Sequence, residues 1–322
     1  VLSYSIIYAN TTVSFGTDVS GEFPSTAAYN DFVNSINSNF SKVMKYFFDI
    51  RTASFTGCSL LNDNAKKITF SFGVSGSYID KVNHNNIDDL SSNYLYGSDS
   101  IFTSVGMVVS LGFSLSKKFK LSILGGLPEY IGLNMMWAFF NKEHKSLTKR
   151  ISVSKLFLSV GFLFHWATEG GIDFKNNGLH GDYTFSNGNG KININNDLSL
   201  GHNQKNYIYI FDLLVKYFFK YKKFNLSCSL GILINIYSIN QSYNMDINVD
   251  YYGFGSANGV DTSMKVNFIE NWVHILPNLS IGFSFDIYSW ARFPIIMVHF
   301  IYLPSNQKIH FRFTVFGFQI LF

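Results

Sequence analysis

Apolar side chains recur at every second position along most of this chain, and this period is the feature that most constrains its fold. In the clearest stretch, residues 101–115, the odd positions are almost all apolar, while most even positions are Ser or Gly. A period of two places alternate side chains on opposite faces of a β-strand. Neither face is charged, unlike a strand with one face in water. The pattern favours a wall strand of a membrane barrel, with its small residues toward a crowded lumen.

The composition disfavours several other classes of protein. Charged residues are 14% of the 322 residues, against about 25% in ordinary soluble domains, and 18% are aromatic. No run of 18 or more apolar residues occurs, which disfavours a helical membrane protein. The net charge is only +4, and no Lys/Arg cluster alternates with aromatics, so nucleic-acid binding is not indicated. A secreted, soluble all-β protein stays open as the alternative.

Nothing in the sequence indicates a metal or a cofactor. The two cysteines, Cys58 and Cys228, lack the spacing of metal ligands. Alternation places Cys228 on one face with Leu226 and Leu230, as a small apolar residue, and a disulfide between the two cysteines stays open. We expect no metal site and no cofactor.

Turns of a few residues and long polar loops separate the predicted strands. Barrels of this class place short turns at one end and long loops at the other. The short turns are predicted at residues 116–118, 220–223 and 277–278, and the main loops at 170–206 and 240–263. The predicted strands lie at residues 68–78, 101–115, 119–123, 131–139, 156–166, 207–219, 224–236, 266–276, 279–303 and 309–322.

An even number of strands places both termini at the short-turn end of such a barrel. Two weak N-terminal strands, residues 12–22 and 48–61, bring the predicted count to twelve, within a range of ten to fourteen. To keep this parity, residues 279–303 are interpreted as one strand without a turn at 289–294. The apolar phase shifts within the last strand, so a β-bulge is expected near Thr314.

The N-terminal segment shows a different period. Apolar residues such as Phe32, Ile36, Phe40 and Phe47 recur at threes and fours, which predicts an amphipathic helix over about residues 26–47. It could pack inside the barrel mouth, against a loop, or on the membrane surface. Residues 1–9 are either the tail of a signal peptide or mature sequence. We predict one domain, with an N-terminal segment at 1–65 and the barrel at 66–322.

The last strand has apolar residues at alternate positions, namely Phe316, Phe318, Ile320 and Phe322. This pattern resembles the C-terminal assembly signal of bacterial outer-membrane β-barrel proteins, and the chain resembles their porin class. Its abundance of Asn, Lys, Ile, Phe and Tyr resembles spirochaete outer-membrane proteins in composition. The resemblance implies an outer-membrane location, with outer-membrane lipid and the barrel assembly machinery as partners. Homo-oligomerisation stays open.

Seven charged residues lie within predicted strands on the phase opposite to the apolar face, with His165 and His310 nearby. A Lys or Arg that faces lipid at mid-depth costs about 2–4 kcal/mol, so we expect these charges to line the pore. Most are cationic, which favours anions in a narrow pore. Pairing of the acidic with the basic members would cancel much of this field, and this alternative stays open. The seven residues are Arg51, Lys155, Asp212, Lys216, Asp286, Arg292 and Arg312.

The first functional hypothesis is therefore an outer-membrane diffusion channel for small hydrophilic solutes, such as carboxylates or acidic sugars. The alternatives are a fatty-acid-type transporter with an N-terminal plug, an adhesin that uses its loops, and a barrel lipid hydrolase. The Asn-Pro-Ala signature of the fatty-acid channels is absent. His84, His180 and His202 lie in predicted loops without the context of a catalytic site. We predict no enzymatic activity and no catalytic residue.

Overall fold

The structure is a computed structural model that describes residues 8–23, 25–34, 37, 41, 45, 67–78, 104–127, 130–145, 151–167, 181–184, 191–194, 199–200, 205–250, 260–303 and 308–322. A short 3-10 turn (Ser20–Glu22) and an N-terminal helix, at residues 26–34 and including 37, 41 and 45, follow the first strand. The strands are β1 (Tyr8–Phe15), β2 (Ile68–Tyr78), β3 (Ser104–Ser114), β4 (Phe119–Leu127), β5 (Tyr130–Lys145), β6 (Ile151–Ala167), β7 (Gly181–Thr184), β8 (Lys191–Ile194), β9 (Ser199–Leu200), β10 (Lys205–Tyr221), β11 (Phe224–Asp250), β12 (Val260–Tyr288), β13 (Ala291–Leu303) and β14 (Lys308–Leu321).

Ten of these strands close into an antiparallel barrel. Each of β2 to β6 pairs with the next strand in the chain, β6 pairs with β10, and the series continues to β14. The pairing of β14 with β2 closes the ring. Phe322 belongs to this seam, because its N–H donates to the Ile68 carbonyl at 2.9 Å. Closure leaves the wall without an unpaired edge.

The wall has ten strands rather than the preferred twelve, and ten is the lower limit of the predicted range and the count expected if the two N-terminal strands stay outside the wall. The first predicted strand, residues 12–22, is instead β1, which pairs with Met264 to Asn271 of β12. The pairing of β12 with β13 starts only at Asn278. β1 therefore lies beyond the end of β13 and outside the wall. The second predicted N-terminal strand, residues 48–61, lies outside the described residues.

Two turn predictions in the C-terminal part are also wrong, and they offset each other. β12 runs unbroken through Pro277 and Asn278, and the turn lies at Ser289 and Trp290 instead. Up to Leu276 most inward positions of β12 are apolar, whereas from Leu279 the apolar residues are the outward ones, so the phase change looks like a break in the sequence. The two-residue turn carries no Gly, Pro, Asn or Asp to mark it. The last strand still runs toward the short-turn end, as predicted.

A sheet extends from the barrel where the sequence predicted two long loops. β11 and β12 stay paired from the wall out to Val249 and Val260. Within the predicted loop at 170–206, β8 and β9 pair with β11, and β7 pairs with β8. We call β1, β7 to β9 and these outer parts of β11 and β12 the outer sheet. The other predicted loop, residues 240–263, is mostly strand.

The barrel strands are strongly staggered. We start at Asp286 of β12 and step from each residue to its paired neighbour on the next strand. After all ten strands this path returns to β12 at His274, twelve residues earlier in the chain. Strand number and stagger together set the tilt and width of a barrel, and this combination fits a tilt of about 35–45°. The expected bulge in β14 is confirmed, since the register shifts between Val315 and Phe318.

The predicted alternation of the wall is confirmed where side chains are described. In β3, Met107, Val109 and Leu111 are exposed on the outer surface, while Val108 and Ser110 are buried inside. The same holds around the ring, where the outward side chains are large and apolar and the inward ones are mixed. The barrel thus has an apolar exterior and a partly polar interior.

The predicted helix is confirmed at its described residues. Phe32 is buried and stacks against Phe15 of β1 at 6.0 Å and Phe23 at 5.1 Å between ring centres. Farther along, Lys45 contacts the inner face of β12. Of the three predicted positions, the helix therefore takes the one at the barrel mouth. The described part of the chain contains no helix that is both long and apolar enough to span a membrane.

Candidate functional site in the barrel interior

Charged side chains line the interior near the short-turn end, where residues 115–118, 222–223 and 289–290 connect the strands. Burial alternates along these strands, and the charged positions share the phase of the buried, inward side chains. Five cationic and three anionic side chains of the barrel strands face inward among those described. They are Lys120, Lys155, Lys216, Lys220 and Arg292, with Asp212, Asp286 and, farther out at the mouth, Glu270.

A polar network joins six neighbouring strands at this end. Asp286 on β12 is at its centre, accepting from Arg292 Nε at 2.7 Å and from Lys220 Nζ at 2.5 Å. Asn225 on β11 donates to the same carboxylate at 2.9 Å. Arg292 also donates to Gln319, whose amide donates to Ser71 Oγ at 2.9 Å across the β14–β2 seam. The predicted alternative, in which Asp286 pairs with Arg292, is the observed geometry.

An apolar cluster lies next to this network and crosses the lumen. Met136, Ala138, Phe157 and Phe218 come from β5, β6 and β10, while Ile295 and Met297 come from β13. Since β13 and β5 lie on opposite sides of the ring, side chains meet across the interior. All six are buried. We call this cluster the constriction, because it brings side chains from both sides of the ring together in the lumen.

A second polar region lies on the long-loop side of the constriction. Asn134 on β5, Gly161 on β6 and Asp212 on β10 are directly paired neighbours in the register. The Asp212 carboxylate lies over Gly161, where any Cβ would clash with it. Asn134 is almost completely buried and donates to Ser159 Oγ at 2.9 Å. Lys216 lies four residues from Asp212 on the same face and interacts with it electrostatically.

The N-terminal helix is fixed at the mouth of the barrel by an ion pair. Lys45 Nζ lies 2.5 Å from Glu270 Oε2, and the Glu270 side chain is completely buried. Thr11 of β1 donates to Glu270 Oε1 at 2.8 Å. The Lys45 ammonium also lies 5.9 Å from the ring centre of Trp272, which stacks on Tyr237 at 4.4 Å.

The predicted pore-lining residues are only partly placed. Lys155, Asp212, Lys216, Asp286 and Arg292 face the interior, while Arg51 lies outside the described residues. For Arg312 the backbone pairs with His299 and Ser77, and its side chain is not described.

Sequence reasoning missed other interior residues. Lys120 lies in the predicted strand at 119–123 but was not recognised as an interior residue. Its even position is on the same phase as the inward Ser122 and Leu124. Lys220 was assigned to the turn itself. No local pattern indicates that Glu270 pairs with Lys45, because the two residues are 225 positions apart in the chain. Among the described residues, no group of three or more His, Cys, Asp or Glu could hold a metal ion.

The fold and site define a closed, up-and-down antiparallel β-barrel with an apolar exterior and a charged interior. No family model and no curated protein matches the sequence. The chain is similar to solved outer-membrane barrels. The outer membrane protease OmpT from Escherichia coli has 9% identity and a TM-score of 0.36, over 83% of this chain and 100% of that one.

Two further similar structures have other functions. The translocator domain of the autotransporter NalP from Neisseria meningitidis has 9% identity and a TM-score of 0.24, over 89% of this chain and 98% of that one. The Pseudomonas putida toluene transporter TodX has 11% identity and a TM-score of 0.22, over 85% and 92%. Scores this low carry no inference about function.

Proposed function

We propose that the protein is an outer-membrane channel for small anions that rests in a closed state. The observation that carries this proposal is the charge of the interior, where five Lys/Arg and three Asp/Glu side chains of the barrel strands face inward among those described. A buried charge costs several kcal/mol of desolvation unless it is well paired, and apolar side chains fill a purely structural core more stably. So many inward charges indicate that the lumen serves a purpose beyond stability.

The exterior supports a position in a membrane. Outward aromatic residues lie at two levels, Trp166 and Tyr207 toward the long-loop end, and Trp137, Tyr288 and Trp290 toward the short-turn end. Tyr288 and Trp290 stack at 5.3 Å. Between the levels the outward residues are apolar. Aromatic girdles around an apolar band are characteristic of barrels in outer membranes, so outer-membrane lipid and the barrel assembly machinery are the proposed partners.

The excess of positive charge supports a preference for anions. In a narrow, partly dewetted pore such a lining lowers the barrier for anions and raises it for cations. Asp286 neutralises one of its two cationic partners, Lys220 and Arg292, so one positive charge of this group is not compensated by it. Small carboxylates or acidic sugars are the proposed solutes, and the proposed function involves no catalysis.

The constriction supports a closed resting state. Apolar constrictions stop ion flow by dewetting even without a complete steric block. Phe157 and Phe218 contribute the two largest side chains of the constriction. Opening would require these side chains, or the N-terminal helix above them, to move.

Conductance in planar bilayers tests this proposal. We expect rare, small openings for the wild type, and a steady current with an anion-favouring reversal potential for Phe157→Ala/Phe218→Ala in a KCl gradient. The control is Phe162→Ala/Phe211→Ala, which removes two outward rings. A widened variant that conducts nothing, or that prefers cations, would refute the anion channel.

The outer sheet favours a second function, that of a membrane-anchored scaffold or adhesin. β11 and β12 extend past the ends of β10 and β13 and present the polar, outward Asn244, Lys265 and Asn271. A scaffold needs a projecting binding surface and does not need an open lumen. A wild type that never conducts, together with a widened variant that does, would favour this alternative.

A further inference from the structure

Asn134, Gly161 and Asp212 form a row across three strands of the wall, on the long-loop side of the constriction. They are paired neighbours on β5, β6 and β10 and face the interior. Directly paired side chains on adjacent strands have Cβ atoms about 5 Å apart. Gly161 has no side chain, and the Asp212 carboxylate occupies the space over it. The carboxylate therefore leans toward β6, and so toward Asn134.

The Asn134 amide is held in a defined orientation. Its Nδ2 donates to Ser159 Oγ at 2.9 Å and points at the Val160 carbonyl at 3.5 Å. A carbonyl only accepts hydrogen bonds, so the atom that faces it must be the nitrogen. The other end of the amide, Oδ1, is consequently an acceptor that is available to a ligand.

One oxygen of each group lacks a donor. Asn134 Oδ1 and Asp212 Oδ1 are buried and have no hydrogen-bond partner in the part of the chain that the structure describes. A buried acceptor without a partner costs about 1–3 kcal/mol, and more if it is charged. Two such oxygens in one row of the wall suit a ligand that carries several N–H donors.

We propose that Asn134 Oδ1 and Asp212 Oδ1 bind the ammonium group of a small amino-carboxylate. This inference rests on the proposed channel function and specifies its solute. A bare cation would meet a wall in which inward Lys and Arg outnumber Asp, and would be repelled. A zwitterion adds no net charge, and its carboxylate interacts favourably with the same wall, starting with Lys216 on the face of Asp212.

Three small probes separate the parts of this proposal. Purified, refolded protein in detergent is titrated with glycine, methylammonium and acetate, and binding is measured by saturation-transfer NMR. We expect glycine to bind at least ten-fold more tightly than either half-ligand. Equal binding of glycine and methylammonium would overturn the assignment of a zwitterion. Absence of glycine binding would overturn the site.

Variants locate the site. Asp212→Asn and Asn134→Leu are expected to weaken glycine binding at least ten-fold, whereas Ser110→Ala, an inward change on β3, is expected to leave it unchanged. Equal binding by all variants would place glycine elsewhere and overturn the assignment. If Asp212→Asn fails to fold, the comparison of the three probes on the wild type still tests the proposed site. A wild type that binds glycine while the widened variant conducts nothing would refute the channel and leave the site intact. A wild type that does not bind glycine, together with a widened variant that conducts anions, would refute only the site.

Discussion

Lys45 on the N-terminal helix lies with its Nζ 2.5 Å from Oε2 of Glu270, on the inner face of β12. Glu270 also accepts a hydrogen bond from Thr11 of β1, so one carboxylate joins the helix and the outlying strand to the extension of the wall. Because the Glu270 side chain is completely buried, its charge depends on these partners. The position of the helix at the mouth is thus fixed by a specific pair as well as by apolar packing.

Glu270→Gln should release the C-terminal part of the helix. The variant loses the ion pair with Lys45 and keeps most of the volume, and a hydrogen bond to a charged group contributes about 1.5–3 kcal/mol. We expect amide hydrogen exchange in the helix to accelerate at least ten-fold, with little change in the barrel strands. Lys265→Met, on the outer face of the same strand, is the control. Equal protection in wild type and Glu270→Gln would show that apolar packing alone holds the helix.

Asp286→Ala should destabilise the barrel more than Lys220→Met, which replaces the more exposed of its two cationic partners. Arg292 is completely buried and would lose its carboxylate partner at 2.7 Å, keeping only neutral acceptors such as Gln319, and breaking a buried pair costs about 3–5 kcal/mol. Lys220 is 29% exposed, so Lys220→Met should cost less than about 1 kcal/mol. Urea unfolding of protein refolded in lipid vesicles gives both values. Similar values for the two variants would mean that Arg292 finds another acceptor.

The barrel wall was predictable because its two faces differ in chemistry. Outward residues such as Met107 and Leu111 are apolar, and the inward neighbours Ser110 and Gly112 are small. The outer sheet was not predictable by the same rule. There most of the outer surface is polar, as at Asn267, and most inward positions are apolar, as at Phe268. The change of phase along β12 made one strand look like two.

The interior site was predictable only in part. Position on the inward phase identifies Asp212 and Arg292, and the same rule applied to the predicted strand at 119–123 would have identified Lys120. Which residues meet across the lumen depends on stagger and closure, which are properties of the whole ring. The constriction, for example, brings Phe157 and Met297 into one cluster, although they are 140 positions apart in the sequence. No local pattern contains that information.

Gly161→Ala should perturb the interior, whereas Gly125→Ala should not. At position 161 an added methyl group would overlap the Asp212 carboxylate, which has to move or lose its place over β6. Overpacking of this kind costs about 1–3 kcal/mol. At Gly125 the nearest atom to a new Cβ is the Tyr130 carbonyl oxygen at 3.8 Å, an ordinary contact. The unfolding free energies of the two variants test this, and an equal effect would mean that the carboxylate is not held over Gly161.

The depth dependence of outward charges tests the membrane position directly. Leu213 and Ile269 are exposed to similar extents, 46% and 43%, but at different heights. Leu213 lies on β10 about midway between Tyr207 and Tyr221, within the apolar band, while Ile269 lies on the outer sheet beside β1. An Arg at the centre of a bilayer costs about 2–4 kcal/mol in such barrels, and near or beyond the interface about 0–1 kcal/mol. Leu213→Arg should therefore lower the unfolding free energy in vesicles by about 2–4 kcal/mol, and Ile269→Arg by less than about 1 kcal/mol. Small and equal losses would mean that the apolar band does not lie in lipid, and a channel through the outer membrane would then be excluded.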